Sequence, residues 1–166
     1  MDFETMKKKL DEAQFVLVGI GEEWRADKLS GDIKIVYEKL AGLLEGKNYF
    51  VVTTLEDGLA FETALDGARI AAPFAGERAA TGSSEARWKE YTQWLMGTLN
   101  RSLFILELGE GFGNPSVIRW PFEKMTCLNL KADLYRIHGK FSQLPENLEE
   151  RGHRIAVNSV HWFLSV

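Results

Sequence analysis

Glycine and polar residues follow three apolar runs that are typical of buried strands. The three segments are residues 19–24, 53–58 and 109–114. In a parallel α/β sheet the carboxyl ends of the strands share one edge, where ligands bind, so we expect these segments to line one crevice. In the last segment Asn114 and Pro115 are a predicted helix start, an arrangement that brings backbone N–H groups close to phosphate. A single turn of this kind does not indicate a ligand, because strand-to-helix turns need glycine for their geometry whether or not they bind one. Three such turns together favour at least an ancestral nucleotide site.

Two glutamates in these loops oppose phosphate binding. Glu22 follows the first apolar run, and Glu110 lies between the glycines of the last segment. At ~5 Å and an effective dielectric constant of about 20, a carboxylate and a phosphate charge repel each other by roughly 3 kcal/mol. A single hydrogen bond contributes only about 1 kcal/mol. Either these side chains turn to solvent, or the site does not accept a phosphate.

The remaining reactive side chains are weaker candidates. His138 ends a predicted strand and could face the same crevice, although a satisfied surface histidine is the commoner case. Cys127 has no histidine or asparagine partner that suggests a nucleophilic triad. Asp57 and Glu56 could act as acid and base, whereas acidic loop residues are commonly only solvated. The residues themselves therefore predict no catalytic group.

Composition is typical of an ordinary globular protein. The 166 residues suit one domain, 1–166, with 45% hydrophobic residues and a formal charge of −4. The longest basic cluster is residues 7–9, so nucleic acid is not expected as a partner. The single cysteine excludes an internal disulfide and a zinc site built on thiolates. No signal peptide is recognised and no apolar run reaches the ~18–20 residues of a membrane span, so we expect a cytoplasmic protein without membrane contact.

Strands and helices alternate along the chain, and this alternation predicts the fold class. Strands are expected at residues 15–18, 49–53, 103–108, 132–137 and 154–157. Helices are expected at 2–13, from a cap at Ser30 to Gly46, from Ser83 or Ser84 to Asn100, and at 145–152. From Pro115 we expect a helix that Pro121 kinks, or two short helices around Trp120, and at the end of the chain a turn at 160–164 capped by Ser159. Residues 59–84 are the least legible, with a short helix expected at 61–65. The pattern predicts an α/β, Rossmann-like, doubly wound and mostly parallel sheet of about five to six strands with helices on both faces.

Three stretches of the chain resemble the sirtuin family, and specifically a divergent bacterial branch of it. They are residues 15–21, residues 49–54 together with Asp57, and residues 104–122 with the elements LELGEGF, NP and PF. The similarity is greatest over residues 103–129. In sirtuins a Rossmann-like domain binds NAD and carries an inserted zinc module, and a catalytic histidine assists transfer of an acyl group from lysine to ADP-ribose.

The resemblance implies a set of cofactor-binding positions. They are Gly19 and Gly21 in the first loop, Thr54 and Asp57 after the second strand, and Gly109, Gly111 and Asn114 in the last loop. Leu55 stands where the family has an asparagine near the nicotinamide ribose, and His138 stands where it usually has one near the adenine ribose. The first loop has Gly-Ile-Gly followed by glutamates, where the family has Gly-Ala-Gly and a serine.

Two family features are missing, and their loss determines the expected function. Residues 58–87, where the family has its catalytic His-Gly, contain no histidine, and the four zinc cysteines are absent. The resemblance therefore implies a trimmed, catalytically degenerate sirtuin-like domain without zinc, with a non-enzymatic binding or regulatory role. Binding of NAD or ADP-ribose is expected to be weak at most. The alternative is a small NAD- or nucleotide-consuming enzyme that uses Asp57 or Glu110.

Self-association or contact with another protein is the expected mode of interaction. Phe61, Phe74 and Phe112 are aromatic residues that the missing module would leave uncovered. Large exposed apolar patches tend to be interfaces, and a homodimer is predicted on that basis.

Overall fold

The computed structural model describes residues 2–26, 32–76 and 84–166, and these residues form one six-stranded sheet flanked by helices. The strands are β1 (Phe15–Ile20), β2 (Asn48–Thr53), β3 (Ile70–Ala71), β4 (Leu103–Leu108), β5 (Ala132–Ile137) and β6 (Gly152–Ile155). The helices are α1 (Phe3–Glu12), α2 (Asp32–Leu44), α3 (Ser84–Met96), α4 (Arg119–Leu128) and α5 (Ser159–Leu164). Within the described ranges, no helix has the length and apolar character needed to cross a bilayer.

Every strand pair is parallel, and the strand order is β3-β2-β1-β4-β5-β6. This is the order of the Rossmann fold, so the predicted α/β fold class is confirmed. At the centre, β1 pairs with β2 on one side and with β4 on the other. The carboxyl ends of these three strands therefore lie side by side at one edge of the sheet.

Apolar layers cover both faces of the sheet, because successive side chains of a strand point to opposite faces. In β1, Val16 and Val18 pack in the layer that includes residues of α1, α2 and α5. Leu17 packs in the other layer, with residues of α3 and α4. All of β4 is buried, as expected for a central strand of a parallel sheet covered on both sides. The prediction of helices on both faces is thus confirmed.

The first half of the chain differs from the prediction at several boundaries. β1 continues through Gly19 to Ile20, whereas it was expected to end at residue 18. In the least legible stretch, a short 3₁₀ turn at Leu59–Glu62 replaces the helix expected at 61–65, and the edge strand β3 follows. This strand has only two residues, too few to show an alternating pattern.

Helix ends also differ from the prediction around the second crossover. α3 begins at Ser84 but ends at Met96, well before Asn100, which has a φ of 62° and lies outside helical geometry. The predicted cap Ser30 and the alternative cap Ser83 lie outside the described residues.

The predicted helix start at Asn114 and Pro115 is wrong. Residues 114–118 form bends and turns, and α4 begins at Arg119. Pro121 therefore lies in the first turn of α4 instead of kinking a longer helix. The first four N–H groups of a helix have no partner within it, so the missing proline N–H costs nothing there.

The C-terminal elements differ from the prediction in type and position, and β6 lies two residues earlier than the strand expected at 154–157. A 3₁₀ turn at Glu146–Leu148 replaces the helix expected at 145–152, and β6 begins at Gly152. A Cβ at Gly152 would lie 2.6 Å from the carbonyl oxygen of Leu148, so this glycine allows the chain to fold back sharply into the strand. Asn158 caps α5 by accepting hydrogen bonds from the N–H groups of the first turn, in place of the predicted Ser159.

Candidate functional site

A cavity of about 540 Å³ opens at the carboxyl edge of β1, β2 and β4, and we call it the main crevice. Its walls come from the loop that follows each of these strands. The lining residues are Glu22, Arg25 and Ala26 after β1, Thr54, Leu55, Glu56 and Asp57 after β2, and Glu110, Gly113 and Asn114 after β4. The crevice lies at the point where the strand order reverses, which is where open α/β sheets bind ligands.

Thr54, Asp57 and Asn114 are the predicted cofactor residues that line the main crevice. Both oxygens of Asp57 already have donors: the N–H of Ala26 donates to Oδ2 at 3.2 Å, and the N–H of Leu59 donates to Oδ1 at 3.0 Å. The carboxylate therefore connects the loop after β1 to the loop after β2. Asp57 shapes the crevice through these two hydrogen bonds.

Gly19 and Gly21 make room for other parts of the protein. A Cβ at Gly19 would lie 2.7 Å from side-chain atoms of both Ile118 and Phe122, so this glycine lets α4 pack closely against the sheet. A Cβ at Gly21 would lie 2.5 Å from the Cα of Glu110. Gly21 therefore allows the loops after β1 and β4 to touch beneath the crevice.

Gly109 and Gly111 have glutamate side chains against their open faces. Gly109 has a φ of +68°, and a Cβ there would lie 2.5 Å from the Cβ of Glu23. A Cβ at Gly111 would overlap Oε1 of Glu22 and lie 3.3 Å from the ring of Phe141. In dinucleotide-binding loops a bare glycine face lets the backbone approach the pyrophosphate. Here the protein's own carboxylate covers the face of Gly111.

The Glu23 carboxylate accepts hydrogen bonds from the N-terminus of α5 and from the loop after β5. Its Oε1 accepts hydrogen bonds from the N–H and the hydroxyl of Ser159, both at 2.8 Å, at the N-terminus of α5. Its Oε2 accepts a hydrogen bond from the N–H of Gly139 at 2.9 Å. The Ser159 hydroxyl in turn accepts a hydrogen bond from the indole N–H of the fully buried Trp24. The sequence analysis missed this role of Glu23, because its partners lie more than a hundred residues away along the chain.

Glu110 is a buried carboxyl in the wall of the main crevice. Its side chain is only 3% exposed, and the hydroxyl of Thr54 donates to its Oε2 at 3.0 Å. Burial is the main reason that the pKa of Glu110 is raised to about 7; the negative charges of Glu107 and Glu22 add to the increase, and the Thr54 hydrogen bond opposes it. A carboxyl with this pKa is partly protonated at neutral pH, as a general acid requires.

His138 lies in a second cavity, of about 530 Å³, beyond Glu22. Its Nδ1 accepts hydrogen bonds from the N–H groups of Lys140 and Phe141 at 2.9 and 3.0 Å. These two bonds assign the ring proton to Nε2, which faces Oε1 of Glu22 at 3.4 Å. Both ring nitrogens are therefore engaged by the protein.

A buried ion pair supports the loop beneath the second cavity. Glu107 and Arg136 lie directly opposite each other in β4 and β5, and their side chains form two hydrogen bonds of 2.6 and 3.0 Å. Arg136 and Arg119 donate further hydrogen bonds to the carbonyl oxygens of residues 141 and 143. Sequence reasoning overlooked this pair, although a charged residue inside an otherwise apolar strand is a usable signal for it.

The lining of the main crevice does not fit the pyrophosphate of NAD. Glu22, Glu56, Asp57 and Glu110 bring carboxyl groups to it, and Arg25 is the basic side chain among the lining residues. Two of these carboxyl groups, on Glu22 and Glu110, lie in the loops that would receive the phosphates. The charge distribution favours a ligand that presents hydroxyl groups or positive charge.

No protein-family model and no curated protein matches the chain. Over the part of the chain that the structure describes, no three His, Cys, Asp or Glu side chains are placed to hold a metal ion.

Proposed function

We propose that the protein is a catalytically degenerate, sirtuin-like Rossmann domain with a non-enzymatic binding or regulatory role, and that it binds NAD or ADP-ribose weakly at most. The observation that carries this proposal is the position of three glutamates at the phosphate-facing loops. Glu23 and Glu110 accept hydrogen bonds there, and Glu22 covers the open face of Gly111. The protein itself thus fills positions that a dinucleotide fold leaves to its ligand.

The environment of His138 supports the absence of deacylase chemistry. A general base needs a free nitrogen lone pair within reach of the substrate. In His138 the Nδ1 lone pair is taken by two backbone N–H groups, and Nε2 carries the proton toward Glu22. We therefore expect that His138 does not act as a base in acyl transfer.

Titration calorimetry with NAD, ADP-ribose and adenosine, together with an assay for nicotinamide release, tests the proposal. We expect dissociation constants of about 1 mM or weaker for the two pyrophosphate ligands, and adenosine, which lacks phosphate, to bind at least as well. No nicotinamide is released. Micromolar binding of NAD, or its turnover, would contradict the proposal.

Glu110 favours a second candidate function, a small enzyme that cleaves the glycosidic bond of a nucleoside or nucleotide. Its buried carboxyl lines a crevice of nucleoside size, and its raised pKa suits a general acid that protonates the leaving base. Asp57, the other predicted acid, is less suited because backbone N–H groups occupy both of its oxygens.

Release of free base from a panel of nucleosides and NAD tests this candidate. Loss of a general acid typically lowers the rate by about 10²–10⁴, so Glu110→Gln should lower any turnover by that factor. Asp57→Asn is the comparison variant, because it replaces a carboxyl group of the same crevice whose two oxygens hold the crevice loops together. Turnover that survives Glu110→Gln rules out Glu110 as the acid.

We also propose that a protein partner, or a second copy of the chain, contacts Phe112 and Phe74, whose exposed fractions are 53% and 41%. Phe61, the third predicted contact residue, is half-buried and packs against the core. Sedimentation of the wild type and of Phe112→Ser tests self-association. A monomeric wild type at high concentration leaves no role for these residues in a homodimer.

A further inference from the structure

Two cavities at the carboxyl edge of the sheet share Glu22 as a lining residue. They are the main crevice and the cavity that contains His138, with volumes of about 540 and 530 Å³. Each cavity by itself is in the size range of a small-molecule pocket. A dinucleotide that lies across the edge of a Rossmann sheet would need both.

The Glu22 carboxylate lies at the centre of this edge. Its Oε1 covers Gly111 so closely that a Cβ on this glycine would overlap it. The pyrophosphate of a dinucleotide passes over such glycines, between the two nucleoside halves. The space above Gly111 is therefore occupied by a negatively charged group, at the point where a ligand would bring its own negative charge.

The Glu22 side chain is held less firmly than that of Glu23. It is 35% exposed, and its contact with Nε2 of His138 is long, at 3.4 Å. The neighbouring Glu23 accepts three hydrogen bonds of 2.8 to 2.9 Å from two other loops. Replacement of Glu22 should consequently leave the fold intact, whereas replacement of Glu23 removes contacts between elements.

We propose that Glu22 is the specificity-determining residue of this site: its side chain divides a dinucleotide-length crevice into two nucleoside-sized cavities and excludes ligands with a pyrophosphate. The inference rests on the proposed function, because it names the residue responsible for weak binding of NAD and ADP-ribose. Nucleosides fit on either side of Glu22 without displacing it. Removal of the side chain joins the cavities into one continuous crevice.

Calorimetry with ADP-ribose and adenosine on three matched variants tests the proposal. Glu22→Ala removes the side chain, Glu22→Gln keeps its size without its charge, and Glu150→Ala removes an exposed carboxylate that lines neither cavity. We expect Glu22→Ala to bind ADP-ribose at least about tenfold more tightly than the wild type, a change of ~1.4 kcal/mol. Glu22→Gln should gain less, because its amide still covers Gly111. Adenosine binding should change less than about threefold in every variant, and Glu150→Ala should match the wild type.

The outcomes separate the two proposals. If wild-type protein already binds ADP-ribose with micromolar affinity, the proposed function fails. If the wild type binds weakly and Glu22→Ala is no stronger, the proposed function stands and the role of Glu22 is overturned. Equal gains for Glu22→Gln and Glu22→Ala also overturn it, because charge alone would then account for the effect. Glu22→Ser serves as a second small replacement, and urea unfolding verifies that each variant is folded.

Discussion

Replacement of Glu110 by glutamine should make the protein more stable at high pH, and the structure gives the magnitude. Folding buries this carboxyl beside Thr54 and raises its pKa from 4.5 to about 7. The folded state therefore binds the Glu110 proton more tightly than the unfolded state does. Glutamine has nearly the same shape and can accept the Thr54 hydrogen bond, but it never ionises.

The sign of the effect follows from this proton linkage. The stabilising contribution of protonated Glu110 is complete below about pH 4.5 and is lost as the pH rises through about 7. Because a pKa change of one corresponds to ~1.4 kcal/mol, the wild type should lose about 3 kcal/mol through this group. The free energy of unfolding of Glu110→Gln minus that of the wild type should rise by this amount between about pH 4.5 and about pH 9.

Urea unfolding across this pH range measures the difference. Titrating groups distant from Glu110 are common to both proteins, so their contributions cancel in the comparison. Glu150→Gln, which replaces an exposed glutamate, is the control and should track the wild type. If the free-energy difference between Glu110→Gln and the wild type stays constant with pH, Glu110 is not buried as a high-pKa acid, and its candidacy as a general acid ends as well.

Three further changes test the packing that supports the site, each by urea unfolding at neutral pH. Glu107→Gln breaks the buried bidentate pair with Arg136 and should lower the free energy of unfolding by roughly 3 kcal/mol. A decrease of less than about 1 kcal/mol would show that the pair is solvated. Gly21→Ala should lower the free energy of unfolding by about 2 kcal/mol or more, because the new Cβ would overlap backbone atoms of the loop after β4. Its control, Gly42→Ala on the exposed face of α2, should raise the free energy of unfolding by ~0.5–1 kcal/mol. Equal effects of the two replacements would refute the close loop contact. Arg151→Ala removes a guanidinium nitrogen that donates to three carbonyl oxygens between the last turn of α4 and the start of β5, and it should lower the free energy of unfolding by about 2 kcal/mol. An unchanged midpoint would contradict that role.

The fold was predictable because its signals are local. Apart from Glu107, the run at residues 103–108 is apolar on both faces, and only a strand covered on both sides buries every residue in such a run. Alternation of such runs with helical periodicity then favours the parallel Rossmann-like arrangement.

The predicted element boundaries were wrong where local signals compete or are too short to read. Asn114 and Pro115 match a helix start, yet the chain forms turns until Arg119, and β3 is too short to carry a pattern.

The site was only half predictable, because a glycine does not reveal what lies against its open face. The pattern after β1 and β4 identified the loops that meet at the crevice, and Glu22 and Glu110 were recognised as obstacles to phosphate. What Gly109 and Gly111 accommodate depends on side chains that are distant in sequence, which no local spacing encodes. The partners of Glu23 are equally remote, so its place between two loops is visible only in three dimensions.

The central position of β1 has a consequence for how the chain folds during synthesis. The native partners of β1 are β2 and β4, and β4 begins only at Leu103, so one edge of β1 has no partner until that part of the chain is made. Until then an apolar strand presents unpaired N–H and C=O groups, which can template pairing with another nascent chain. Pairing of β1 with β4 closes the long stretch of chain between them, and we expect this slow, non-local step to limit the folding rate. Chains truncated before β4 should therefore aggregate, whereas chains that extend past it can close the sheet.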